Sequence, residues 1–88
     1  MLATSAFCGA CAKTRANVAE ALPFLSNATF RELDVARNPD EAEALDIRFT
    51  PTLIVRDSGG TEVFRATGVP TVPQVLAAAV QALPDPEN

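Results

Sequence analysis

The sequence predicts an α/β domain in which a four-stranded mixed sheet carries helices on both faces, in the order β-α-β-α-β-β-α. Three observations lead there. Short β-prone runs alternate with segments of helical periodicity in the first half of the chain. Two β runs, Thr52–Arg56 and Glu62–Arg65, are separated only by Asp57-Ser58-Gly59-Gly60-Thr61, which marks a hairpin. The chain then closes on an amphipathic stretch, Val72, Val75, Leu76, Ala79, Val80 and Leu83, that reads as a helix with one apolar face.

Taken in order, residues 1–6 read as a strand broken at Phe7-Cys8-Gly9. From there to Leu22 the chain is rich in Ala, Arg, Lys and Glu, with Cys11, Thr14, Val18 and Leu22 at helical spacing. Leu22-Pro23 ends this helix, because the residue before proline is pushed out of the α region. Thr29–Val35 is β-prone. Asn38-Pro39-Asp40-Glu41 starts a short helix running to about Asp46, with Asn38 as cap, Pro39 in the first turn and Glu41 completing a capping box. Thr71 and Gln74 form a second capping box ahead of the last helix. The first βαβ requires a right-handed parallel crossover, and the hairpin is antiparallel.

The sequence has 88 residues, enough for one core and not two. One domain is expected over residues 1–83, with Pro84-Asp85-Pro86-Glu87-Asn88 as a polar tail. Hydrophobic residues make up 48% and charged residues 20%, a globular composition. A net charge of −4 gives nucleic acid or anionic lipid no electrostatic attraction, so neither is expected as a partner. No apolar run is long enough to span a bilayer, and Met1-Leu2-Ala3-Thr4-Ser5 lacks the basic and apolar segments of a signal peptide. The cytoplasm is the expected compartment, and a monomer the expected state.

Cys8-Gly9-Ala10-Cys11 sits where a strand hands over to a helix. There the first N–H groups lack intrahelical partners and the macrodipole favours an anion. A Cys8 thiolate would accept those N–H groups, lowering its pKa from about 8.5 into a range of roughly 3.5–7.5. Gly9 and Ala10 add little bulk and leave the sulfur approachable. Cys11 lies on the same helical face, close enough to bond to Cys8. Cys8 is thus the expected nucleophile of thiol–disulfide exchange, and Cys11 the resolving thiol. Two other readings compete. Cysteines are often small buried apolar residues. Zinc needs about four ligands, whereas this chain has no His and no second Cys pair, so no metal and no cofactor is expected.

Phe7-Cys8-Gly9-Ala10-Cys11 resembles the Trp-Cys-Gly-Pro-Cys of the thioredoxin superfamily. Leu33-Asp34-Val35-Ala36-Arg37-Asn38-Pro39 and Ile47-Arg48-Phe49-Thr50-Pro51-Thr52-Leu53 are similar to two further segments of that family, and Gly60 and Gly68 fall where it carries glycines. The resemblance covers roughly Leu2 to Leu83 and implies a thioredoxin-like fold. It implies a cis Pro51 packed against Cys8, and a Thr50 backbone that pairs with an extended substrate. Phe7, Gly9, Ala10, Thr50, Pro51 and Gly68 are accordingly expected to bind substrate. Disulfide-containing proteins would be the substrates, and a reductase such as thioredoxin reductase, or another dithiol, the electron donor. Electron transport and cell redox homeostasis would be the setting.

The chain also departs from the family. The strand and helix that precede the core of full-length thioredoxins are absent, as in glutaredoxins and small archaeal redoxins. The family's buried Asp aligns with Leu2 and its lysine neighbour with Glu32. Glu32 is expected to point outward into solvent, leaving no acid to take the proton of Cys11. Gly68 is followed by Val69-Pro70-Thr71-Val72, without the acidic residue by which glutaredoxins hold glutathione. A glutathione-dependent enzyme, and a non-catalytic binding module or dimeric cluster bridge, are the alternatives. Lys13 and Arg15 read as solvated charges, and Asp40, Glu41 and Glu43 as complements to a helix dipole. Phe7 reads either as a contact surface beside Cys8 or as a residue packed on the sheet.

Overall fold

The computed structural model describes residues 1–25 and 28–82. Leu83 and the expected tail lie outside the described residues. The elements are β1 (Leu2–Thr4), α1 (Gly9–Ala21), a 3₁₀ turn (Leu22–Phe24), β2 (Glu32–Asp34), α2 (Pro39–Ala44), β3 (Thr52–Arg56), β4 (Glu62–Thr67) and α3 (Val72–Gln81). They follow the expected order. The sheet has four strands in the order β2-β1-β3-β4, with β1 parallel to β2 and antiparallel to β3, and β3 antiparallel to β4.

Alternation along the strands splits the core in two. On one face Leu2 and Leu53 pack with Val18, Ala21 and Val75 beneath α1 and α3. On the other, Ala3 and Leu33 pack with Ala42 of α2. Helices therefore cover both faces. Among the described residues no helix is long and apolar enough to cross a membrane.

Several elements are shorter than expected, and neighbours decide where they stop. The strand expected over residues 1–6 spans only Leu2–Thr4, and the β-prone Thr29–Val35 pairs only over Glu32–Asp34, since each offers the other three partners. Phe30 is left 37% exposed. The first helix ends at Ala21 rather than Leu22, because Pro23 has no N–H to continue the ladder and starts a tighter turn instead. Asn38 does not cap α2 with its side chain. Its Nδ2 donates to the Asp34 carbonyl at 3.0 Å, and the Glu41 carboxylate pairs with Arg31, so the expected capping box does not form. In α3, Ala78 is buried at 1% while Val80 stands 63% exposed, because the helix turns Val80 away from the sheet.

The second capping box is present. Thr71 Oγ1 accepts from the Gln74 N–H at 3.2 Å, and Gln74 Oε1 accepts from the Thr71 N–H at 2.9 Å. Thr71→Ala leaves one N–H at the helix start without its partner. A loss of about 1 kcal/mol is expected, read as a fall in Tm of roughly 4–8 °C.

Candidate functional site

Cys8 occupies the cap position of α1, with extended backbone angles (φ −104°, ψ 101°). The helix begins there because the Cys8 carbonyl accepts from the Ala12 N–H at 3.2 Å and its Sγ accepts from the Cys11 N–H at 3.0 Å. Sulfur thus takes the place of the oxygen that Ser or Asp supplies at ordinary caps. Cys8 and Cys11 form a disulfide with Cα atoms 5.1 Å apart. Cys8 is half-buried, whereas Cys11 is 1% exposed. Behind them the buried Thr14 hydroxyl donates to the Ala10 carbonyl at 2.9 Å, tying the first turn together.

Phe7 makes the turn into this helix. Its φ of 57° lies in the left-handed region that side chains with a Cβ rarely adopt. Phe7 is fully exposed, so it does not pack on the sheet. A Cβ built on Gly9 would meet no atom within 4 Å. Packing does not require glycine there, and the space beside Cys8 is open.

The second part of the site is the loop entering β3. The Thr50-Pro51 bond is cis. Thr50 Oγ1 lies 2.9 Å from Ser5 Oγ, on the segment that leads to Cys8. Thr52 Oγ1 donates to the Phe49 carbonyl at 2.6 Å. The third part is Gly68, whose φ of 85° favours glycine and whose N–H donates to the Pro51 carbonyl at 3.1 Å. Nearby, Asn17 Nδ2 reaches the Pro70 carbonyl at 2.9 Å and joins α1 to the same loop.

The sheet register explains the assembly. Ala3 pairs with Thr52, and Thr52 with Thr67, so the loops after β1, before β3 and after β4 emerge side by side. All eight residues singled out from the sequence (Phe7, Cys8, Gly9, Ala10, Cys11, Thr50, Pro51 and Gly68) lie on these loops or in the first turn of α1. Sequence reasoning did not single out Ser5, whose hydroxyl joins the Thr50 loop to the segment before Cys8.

Glu32 faces outward as expected, but it is paired. Glu32 is not solvated alone: its Oε1 and Oε2 accept from Arg15 Nε and Nη2, each at 2.7 Å, and Oε2 accepts from Thr4 Oγ1 at 3.0 Å. Arg15 is therefore no free charge either. Glu32 pairs in register with Leu2 at the sheet margin, within reach of a long side chain from α1. The hydrogen-bonded Arg15 guanidinium holds the Glu32 carboxyl below the usual glutamate value, outweighing the opposing effect of burial, and the Thr4 hydroxyl adds to it. A depressed folded pKa stabilises the fold above the unfolded value of about 4.3 and loses that stabilisation as pH falls below it. Glu32→Gln is expected to remove this acid-side contribution, costing at most about 1 kcal/mol at pH 7 because both partners are partly solvated. Urea titrations at pH 7 and pH 3 check it. Thiol titration by absorbance should be nearly unchanged, since a carboxylate committed to Arg15 is a poor proton acceptor.

A family profile described as Thioredoxin matches residues 3–82. No curated protein sequence matches the chain significantly. Among solved structures, that of a malarial protein superposes with a TM-score of 0.79 at 15% identity, covering 93% of this chain and 92% of that one. A chloroplastic thioredoxin z aligns with a TM-score of 0.75 at 23% identity, over 92% of this chain and 74% of that one. The Malassezia sympodialis thioredoxin Mala s 13 gives 0.76 at 20% identity, over 92% and 70%. At these identities the likeness is one of fold.

Proposed function

Because the chain belongs to the thioredoxin family, we propose that it is a dithiol oxidoreductase that reduces protein disulfides, with Cys8 as nucleophile and Cys11 as resolving thiol. The observation that carries this reading is the position of Cys8 Sγ at the start of α1, where it accepts the Cys11 N–H and is bonded to Cys11 itself. A helix N-terminus stabilises a thiolate there. The Cys8 thiolate attacks a substrate disulfide, its S–S bond breaks, and one substrate thiolate leaves. Cys11, giving its proton to solvent, attacks Cys8 sulfur and displaces the second substrate thiolate. Two electrons pass to the substrate, and the protein ends in the Cys8–Cys11 disulfide. A reductase such as thioredoxin reductase, or another dithiol, returns the two electrons.

Substrate would lie across Phe7, Gly9 and Ala10 on one side and Thr50, Pro51 and Gly68 on the other, pairing with the Thr50 backbone. The buried Leu2 supplies no carboxylate, and Glu32 is held by Arg15, so water is left as proton acceptor for Cys11. A glutathione-dependent enzyme is disfavoured because Val69 and Pro70 carry no charge and the Thr71 hydroxyl is engaged in its helix cap. A binding module would have no need of a reversible bridge. We place the protein in the cytoplasm as a monomer.

Thiol counting is expected to give two thiols per chain after reduction and none after mild oxidation, without dimer on non-reducing gels. A reduction assay should run with thioredoxin reductase as donor and much more slowly with glutathione. Thiols that never pair, or oxidation only to dimers, would sink the proposal.

A further inference from the structure

Among the described residues three hydrogen bonds hold the loop of residues 49–51, and two of them come from its own hairpin. The Phe49 carbonyl accepts from Thr52 Oγ1 of β3, and the Pro51 carbonyl from the Gly68 N–H that follows β4. The third comes from elsewhere. Ser5, on the segment that leads into Cys8, places its Oγ 2.9 Å from Thr50 Oγ1. Register explains the meeting. Ala3 pairs with Thr52 across an antiparallel ladder, and the same register carried two residues beyond β1 sets Ser5 opposite Thr50. Among the described residues this is the one hydrogen bond between residues 5–8 and residues 49–51. Two features around it point to a role. Phe7, two residues on, has a φ of 57°, a conformation that persists only where its surroundings hold it. The Ser5 bond fixes the near end of that turn, and the Cys8 carbonyl, held by the Ala12 N–H, fixes the far end. Thr50 in turn commits its side chain to Ser5 and keeps its backbone free, for neither its N–H nor its carbonyl has a partner among the described residues.

We propose that Ser5 is a positioning residue for disulfide reduction, which sets the spacing between Cys8 and the free Thr50 backbone through the Thr50 hydroxyl. This rests on the oxidoreductase reading above and adds a residue that acts through another. A polypeptide disulfide meets two points at once, its sulfur at Cys8 and its backbone at Thr50, so a gap that varies costs it productive orientation. A small aryl disulfide has no peptide backbone to pair and needs only the Cys8 sulfur. The nucleophile itself is left alone, because Cys8 takes its hydrogen bonds from the Cys11 and Ala12 N–H groups of α1. The hydroxyl pair is uncharged, so its removal is expected to leave thiol titration where it was. The chemistry is the same for each substrate: the protein dithiol becomes the Cys8–Cys11 disulfide, and the substrate disulfide becomes two thiols.

The test uses prereduced full-length protein in single turnovers over a range of substrate concentrations, with a cystine peptide and with a nitrobenzoate aryl disulfide. Released thiol gives a half-saturating concentration and a limiting rate. Ser5→Ala is expected to raise the half-saturating peptide concentration roughly tenfold, with the limiting rate changed by less than about threefold. Its rate on the aryl disulfide should stay within about twofold of wild type. Ser5→Thr keeps the hydroxyl and should hold peptide reduction within about threefold of wild type. Thr50→Val removes the same bond from the other side and should match Ser5→Ala on the peptide, so a poorly folded alanine variant still leaves the bond readable. The double variant should fall no further than either single one. Peptide reduction by Ser5→Ala and Thr50→Val within about twofold of wild type, an equal loss on both disulfides, or additive losses in the double variant each overturns the inference while leaving the oxidoreductase reading standing. Wild type that reduces neither disulfide overturns the oxidoreductase reading, and this inference with it.

Discussion

Cys11→Ser is expected to stop the reaction half-way and accumulate a covalent adduct of protein and substrate through Cys8. Cys8 is half-buried at the helix cap, where its sulfur accepts the orphan N–H of Cys11 in the disulfide, a bond that a thiolate would also accept. Cys11 is 1% exposed and lies within the first turn of α1. A substrate sulfur can therefore reach the first and not the second. Without Cys11 the mixed disulfide has no resolving thiol, and turnover should fall by about a thousandfold or more. Cys8→Ser should fall as far but trap nothing. Mass spectrometry after mixing each variant with a disulfide protein separates the two. Comparable alkylation rates at both positions near neutral pH, or an adduct on Cys11, would contradict the assignment.

The second large effect concerns Leu2. The family places a buried acid at this position, which suggests that Leu2→Asp could rebuild a proton acceptor. The surroundings argue that it cannot do so without severe destabilisation. Leu2 is 0% exposed and packs with Val18, Ala21, Leu53 and Val75. Its register partner is Glu32, whose carboxyl is held anionic by Arg15, and the Met1 ammonium is hydrogen-bonded to the Ile54 carbonyl, so both of these cations are already engaged. Losing the leucine side chain costs about 2–5 kcal/mol, and an unpaired buried carboxylate adds to it. A total loss of about 4 kcal/mol or more is expected at pH 7, against a typical stability of roughly 5–15 kcal/mol. Burial raises the introduced carboxyl in the folded state. The charge penalty should therefore shrink as pH falls from 7 through that raised value, and vanish below the unfolded value of about 3.9. Urea unfolding at pH 7 and pH 5 measures both. A loss below about 2 kcal/mol at pH 7 would mean that the pocket already accommodates a charge.

How much of this was legible beforehand differs from element to element, and the difference follows interaction range. The dithiol at the start of α1 was legible because an uncapped helix end and two cysteines on one face are properties of a few adjacent residues. The Thr71–Gln74 capping box and the β3–β4 hairpin were legible for the same reason. Asn38 shows the limit: its local pattern matched a cap, yet its amide went to the Asp34 carbonyl, and Glu41 to Arg31. A polar side chain with two comparable partners chooses by geometry that spacing does not encode.

Which residues can carry a thiol pair at a helix start is a property of a few neighbouring positions. What surrounds that pair follows from contacts between distant segments. Strand register brings the Pro51 and Gly68 loops beside the segment that leads to Cys8. The reach of α1 over the sheet margin commits Glu32 to Arg15. The same closure leaves Phe7 and Phe49 facing water rather than the core. Capping and periodicity act over one helical turn and are written in neighbouring residues. Register, ion pairing across elements and the exposure of a loop side chain depend on segments far apart in the chain, and exist only once the sheet has closed.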